Sequence, residues 1–278
     1  MSAYLDFLLW PFLACLVLVG IHVYFGLHVI RRGIIFVDLS LAQVAALGTT
    51  AAFLLGFELN GTAAYLFSLG FALLGGTIFA FTKGIEGKVP QEATIGIVYA
   101  FSSAASILAV SHAPEGAEHI HYLLVGSLLT VTPMVVLKTA AVYSVVGLFH
   151  YITREKFFAL TFGHGPKPSR ALLWEVLFYA SFGIVVTSSV KICGVLLVFI
   201  FLVVPSVFGA LATESIGRRL VLGWSFGLAG SLLGLVLSFE LDTPPGATVV
   251  CAFGTMLLVF ALFRVLMRPR RAVGQGPG

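Results

Sequence analysis

The sequence predicts an all-α fold: a polytopic helical membrane protein of about nine transmembrane helices, with the N-terminus outside and the C-terminus inside. Three observations predict it. Hydrophobic residues make up 59% of the 278 and charged residues only 10%, with a mean hydropathy of +1.05. Apolar runs of about 20 residues recur along the chain, long enough to cross a hydrocarbon core as helices and too unbroken for barrel strands. The basic residues segregate when the runs are alternated across a membrane: of 16 Lys and Arg, all but Lys138 and Lys191 fall on one side. That bias places the basic side in the cytoplasm and requires an odd number of spans.

The runs follow in order. The first, 7–30, is preceded by Asp6 rather than by a basic segment, so it reads as a retained span and not a cleaved signal. Arg31 and Arg32 close it on the inside. Runs 34–56 and 61–82 form an excursion ended by Lys83 and Lys88, and 91–111 returns outward. An outer connection, 112–132, leads to 133–153. The longest inner connection, 154–170, holds Arg154, Lys156, Lys167 and Arg170. Runs 171–190 and 192–213 meet outside at Lys191, and 219–239 and 247–267 complete the set. The outside carries acids instead, Asp6, Glu58, Glu115, Glu118, Glu240 and Asp242, a field that draws cations. No loop is long enough for a soluble domain. Residues 1–267 therefore read as one transmembrane domain, and 268–278 as a basic, disordered cytoplasmic tail.

Composition also excludes functions. The net charge of +4 resides in the inner loops, which suits anionic lipid or an acidic partner surface and not nucleic acid. Cys15, Cys193 and Cys251 fall in or beside apolar runs with no CxxC spacing, as packing residues do. No G-x-x-x-x-G-K-[ST] stretch is present, so the chain has no phosphate-binding loop of its own, and no GxSxG or HExxH set appears in the spans. The chain reads as no enzyme and as holding no cofactor. Gly223, Gly227, Gly230 and Gly234 make two small-residue pairs at spacing four, which let a neighbouring backbone approach. Pro205 sits inside a span and frees a carbonyl that needs another donor, from Ser206 or a neighbouring helix.

Polar residues at membrane depth are costly and therefore candidates for function. Asp38 is one turn into the second run, on a face with Ala42, Ala45 and Thr49; Gln43 lies to its side. Two readings stand for Asp38: it lines a cation path, with Gln43 adding a neutral oxygen, or it pairs with Arg31 or Arg32. His22 and His28 in the first run are neutral, hydrogen-bonded residues unless other spans supply further ligands. In the outer connection His112, His119 and His121 stand with Glu115 and Glu118, a set that suits a transient entry site for a borderline divalent metal, or a solvated loop that docks a partner.

Four stretches together resemble the integral-membrane permeases of metal-ion ABC importers, the ABC-3 type family for zinc, manganese and iron. They are Arg31-Arg32-Gly33-Ile34-Ile35-Phe36-Val37-Asp38; Pro90-Gln91-Glu92-Ala93-Thr94-Ile95-Gly96-Ile97; Tyr122-Leu123-Leu124-Val125-Gly126-Ser127-Leu128-Leu129-Thr130-Val131; and Gly194-Val195-Leu196-Leu197-Val198 with Pro205, continued by Ser238 and Asp242-Thr243-Pro244-Pro245-Gly246. The resemblance implies the fold of vitamin B12 and siderophore permeases in a multi-pass plasma membrane protein of a prokaryote. It implies a path for a divalent metal ion, zinc first and then manganese or iron, as transported substrate. The implied partners are a cytoplasmic ATP-binding-cassette ATPase, an extracytoplasmic metal-binding protein and a second copy of the chain. The ATPase contact would fall on the 154–170 connection through Phe157, Phe158 and Gly163. The sequence departs from the family's Asp-x-x-x-His pattern, since Ala42 stands in the His position after Asp38. An ion-coupled secondary transporter and a permease for a metal chelate are the alternatives.

Overall fold

Nine helices of eight residues or more, and no strand, make up the described part of the chain in the computed structural model, which covers residues 2–59, 61–83, 89–111, 126 and 128–267, with side chains from Leu8 onward. They are α1 Ser2–Arg32, α2 Val37–Leu54, α3 Thr62–Thr82, α4 Gln91–Val110, α5 Pro133–Ile152, α6 Arg154–Phe162, α7 Ala171–Ala212, α8 Ile216–Glu240 and α9 Pro245–Leu266. All but α6 are long and apolar enough to cross a membrane. The outer histidines His112, His119 and His121, and the 268–278 tail, lie outside the described residues.

Local chemistry sets several boundaries. A left-handed Gly33 (φ 69°) ends α1 and turns the chain into α2. Thr132 caps α5, its hydroxyl accepting from the Val135 N–H at 3.4 Å, with Pro133 in the first turn where its missing N–H costs nothing. Gly163, also left-handed, ends α6.

At 42 residues, α7 would measure about 63 Å if straight, twice a hydrocarbon core. It is two segments broken at Gly194, whose φ of 75° and ψ of 166° are non-helical. The contacts fix their directions. The first segment runs antiparallel to α1: Glu175 meets Arg32, Phe182 meets Phe25, and Ser189 meets His22. The second returns beside α8, with Gly209 against Arg219 and Gly223 against Pro205. Both ends of α7 thus lie at the basic end of the bundle, and the two expected spans are present as one reversed pair. Gly126 packs backbone-on-backbone over the break, where a Cβ would stand 2.3 Å from the Gly194 nitrogen.

The bundle is organised around α1 and α7. On one side α2 packs on α3 and α4; on the other α8 packs on α9; α7 bridges the two groups. The small-residue pairs of α8 face two partners. Gly223 and Gly227 admit Val23 and Val19 of α1, and Gly230 and Gly234 admit Phe253 and Val249 of α9. Beside Pro205, Ser206 donates to the Val23 carbonyl of α1 at 3.2 Å, so the proline region is tied across to a neighbouring helix.

Candidate functional site

The inner ends of α2 and α4 carry an unusual electrostatic arrangement. Asp38 is 1% exposed, and neither carboxylate oxygen has a hydrogen-bond partner. The backbone N–H groups of Asp38 and Leu39, in the first turn of α2, favour an anion there without closing a bond. Glu92, at the start of α4, lies within electrostatic range of Asp38. Glu92 accepts from the Phe36 N–H through Oε1 at 3.1 Å and leaves Oε2 buried without a partner. Two residues further along α2, Ser40 donates to the Ile95 carbonyl at 3.0 Å and ties α2 to α4. Phe36 stacks on Phe199 of α7 at 6.0 Å, beside the pair.

The expected alternative for Asp38, an ion pair with Arg31 or Arg32, is not what the structure forms. Arg32 is held by Glu175 at 2.5 Å, and Glu175 also takes Lys83 at 2.7 Å. Arg32 further donates to Thr161 of α6 at 2.9 Å and lies 3.9 Å over the Phe178 ring. This triad joins α1, α3, α6 and α7 at one end. Two carboxylates, three bare oxygens and no cation among their described contacts therefore remain at Asp38 and Glu92. A buried carboxylate with a second, half-buried carboxylate in electrostatic range is favoured by a proton or a cation beside it. The donors are oxygens alone, the set preferred by harder divalent ions.

Other expected residues fall elsewhere. Gln43 is half-buried and about 140° around α2 from Asp38, so it does not share the carboxylate's face. His22 is fully satisfied: Nδ1 donates to the Leu18 carbonyl at 2.7 Å, and Nε2 lies 3.2 Å from Ser189 Oγ. Ser189, Ser188 and Tyr143 continue this as a hydroxyl cluster inside the bundle. Phe157 is buried and stacks on His150 at 4.3 Å, so it holds α6 to the bundle and presents no surface. Phe158 is half-buried; Arg154, Glu155 and Lys156 are exposed beside it.

Sequence reasoning passed over two acids. Glu92 was legible only as part of a motif, although an acid opening an apolar run was a signal. Glu175, one turn into a span, carried the same signal.

The ABC 3 transport family matches residues 4–264. The chain belongs to that family. A Listeria monocytogenes manganese transport system membrane protein, MntC, is 24% identical over 86% of this chain and 84% of its own. The Streptococcus gordonii manganese import system permease protein ScaB is 22% identical over 84% and 83%. A Haemophilus influenzae "probable iron transport system membrane protein" is 22% identical over 65% and 68%. Among solved structures, PsaBC from Streptococcus pneumoniae in complex with Fab superposes with a TM-score of 0.75 at 20% identity, over 93% of this chain and 95% of that one. The chain thus shares its fold with PsaBC, and it is a multi-pass membrane protein of the ABC 3 transport family.

Proposed function

We propose that this chain is the membrane-spanning subunit of an ATP-driven importer and passes manganese(II) or iron(II) to the cytoplasm through a site formed by Asp38 and Glu92. The observation that carries the reading is the buried Asp38 beside the half-buried Glu92, with three enclosed oxygens that have no hydrogen-bond partner. An all-oxygen set suits manganese(II) better than zinc, which prefers nitrogen and sulfur. The expectation of zinc as first choice is accordingly replaced, and the named relatives, for manganese and iron, favour the same ions. The absence of a His at Ala42 fits an oxygen site. Energy would come from a separate ATPase, docked on the exposed side of α6 at Glu155 and Lys156, with a second copy of the chain and an extracytoplasmic binding protein completing the importer.

The test is manganese uptake by cells carrying the full importer. Asp38→Asn and Glu92→Gln should each lower uptake about tenfold, the loss of roughly one good ligand contact, with normal amounts of assembled complex. The double variant should fall further. Wild-type uptake by a well-expressed Asp38→Asn, Glu92→Gln double variant would sink the site. The same membranes report on docking: Glu155→Lys with Lys156→Glu should weaken copurification of the ATPase, and unchanged copurification would move the contact elsewhere.

A further inference from the structure

A crevice opens at the inner half of the bundle where α1 is left bare. Both α5 and α8 pack on α1, and neither packs closely on the other. Between them is a cavity of about 510 Å³, walled by apolar groups and floored by Phe158 and Phe162 of α6. Along α1 it reaches from Gly20 to His28, about 12 Å, most of the roughly 15 Å depth of one leaflet's hydrocarbon. Three wall residues are glycines with room in front of them. A Cβ on Gly20 or Gly217 would meet nothing within 4 Å, and one on Gly147 would only touch Ile21 at 4.0 Å.

The crevice does not end at the membrane surface. Arg154 and Phe158 also line a second hollow of about 370 Å³ on the cytoplasmic side, together with Lys156, His164 and one acid, Glu155. An apolar slot thus adjoins a mouth bearing two exposed cations, Arg154 and Lys156, and one acid, Glu155. Arg154 lies 4.7 Å over the Tyr151 ring and has no carboxylate partner among the described residues.

We propose that this crevice binds one anionic phospholipid of the inner leaflet. The acyl chain lies in the slot along α1, and the phosphate sits at Arg154 in the mouth, beside Lys156. A lipid satisfies both features at once: an apolar tail for the slot and negative charge for the mouth. A second copy of the chain covering the crevice is the competing occupant. The site is independent of the cation path, and α6, its floor, is the element on which the lipid would act.

The experiment uses the full-length chain, extracted in neutral detergent with the partners that accompany it, stripped of lipid and then given phosphatidylglycerol or phosphatidylcholine of matched chains. Native mass spectrometry counts lipids that survive washing. One phosphatidylglycerol should remain per chain, and much less phosphatidylcholine. Arg154→Ala should lower phosphatidylglycerol retention about fivefold. Gly147→Leu and Gly217→Leu, on opposite walls, should abolish retention at an unchanged melting temperature; if one fails to fold, the other decides. Equal retention of both lipids by the wild type, or undiminished retention in a folded plugged variant, would overturn the proposal. So would a disulfide between two chains formed through Gly217→Cys in native membranes, because the second copy would then occupy the crevice.

Discussion

Asp38 and Glu175 are both acids near the start of an apolar helix, and their surroundings set them apart. Glu175 is enclosed by Arg32 and Lys83, two donors that hold both of its oxygens. Replacing it with Gln leaves the Arg32 guanidinium, whose side chain is 4% exposed, without a counter-charge. Breaking a buried pair in this way costs about 3 kcal/mol or more. Glu175→Gln should therefore lower the unfolding temperature of the purified protein by several degrees. Asp38→Asn should do the reverse or nothing, since it removes a buried charge that no cationic side chain offsets. Thermal unfolding of the two variants side by side checks the contrast. A Glu175→Gln protein as stable as wild type would mean that the triad is held together by hydrogen bonding alone. A strongly destabilised Asp38→Asn protein would make Asp38 a structural residue and not a pathway one.

The helices show where sequence patterns suffice and where they stop. Runs 171–190 and 192–213 were separable because Lys191 interrupts them, and the reversal indeed falls three residues later, at Gly194. The shift has a physical cause: a charge marks an interface, whereas a chain reversal needs a residue that tolerates φ 75°, ψ 166°, and only glycine does so cheaply. Gly194→Ala should thus cost about 1–3 kcal/mol, with the Gly126 segment displaced as well. Gly70→Ala is the matched control, because an added Cβ there meets nothing and a helical alanine is preferred by up to about 1 kcal/mol. Equal stability of both variants, measured by thermal unfolding in detergent, would show that the break is not enforced by Gly194. The small-residue pairs of α8 were likewise visible as packing faces; that one pair meets α1 and the other α9 was not, since spacing names a face and not its partner. For α6 the ATPase contact expected through Phe157 has no exposed side chain there, for the same reason. Both phenylalanines are apolar, and only the fold decides that Phe157 turns inward to His150.

Across the molecule, the segments that carried the family resemblance prove to be neighbours in space. The stretch ending at Asp38 meets the stretch opening at Gln91, through Phe36 and Glu92 and through Ser40 and Ile95. Gly126, from the third stretch, lies against Gly194, which opens the fourth. Each stretch is a few residues long and uninformative alone; their pairing is a property of the fold, invisible until helices that are distant in sequence come together. The alternation read from charge has an independent check of the same kind. Arg32, Lys83, Glu175 and Thr161 converge at one end, as the end of the first span, the end of the third, the start of the sixth and the inner connection must if the alternation is right. Lys138 and Lys191, the two exceptions to the charge bias, line one cavity with Tyr65, of about 460 Å³. Geometry fixes which helix ends share a side, and the excess of Lys and Arg says which side is cytoplasmic. A labelling experiment joins the two. With the exposed Cys251 replaced by Ala and the buried Cys15 and Cys193 retained, a single cysteine at exposed Glu240, between α8 and α9, should react with a membrane-impermeant maleimide in intact cells. One at exposed His164, after α6, should react only once the membrane is opened. Labelling at position 164 in sealed cells, with position 240 protected, would invert the molecule. It would also place the Asp38–Glu92 pair and the cationic mouth at Arg154 on the outer face, where neither an ATPase nor an inner-leaflet lipid could reach them.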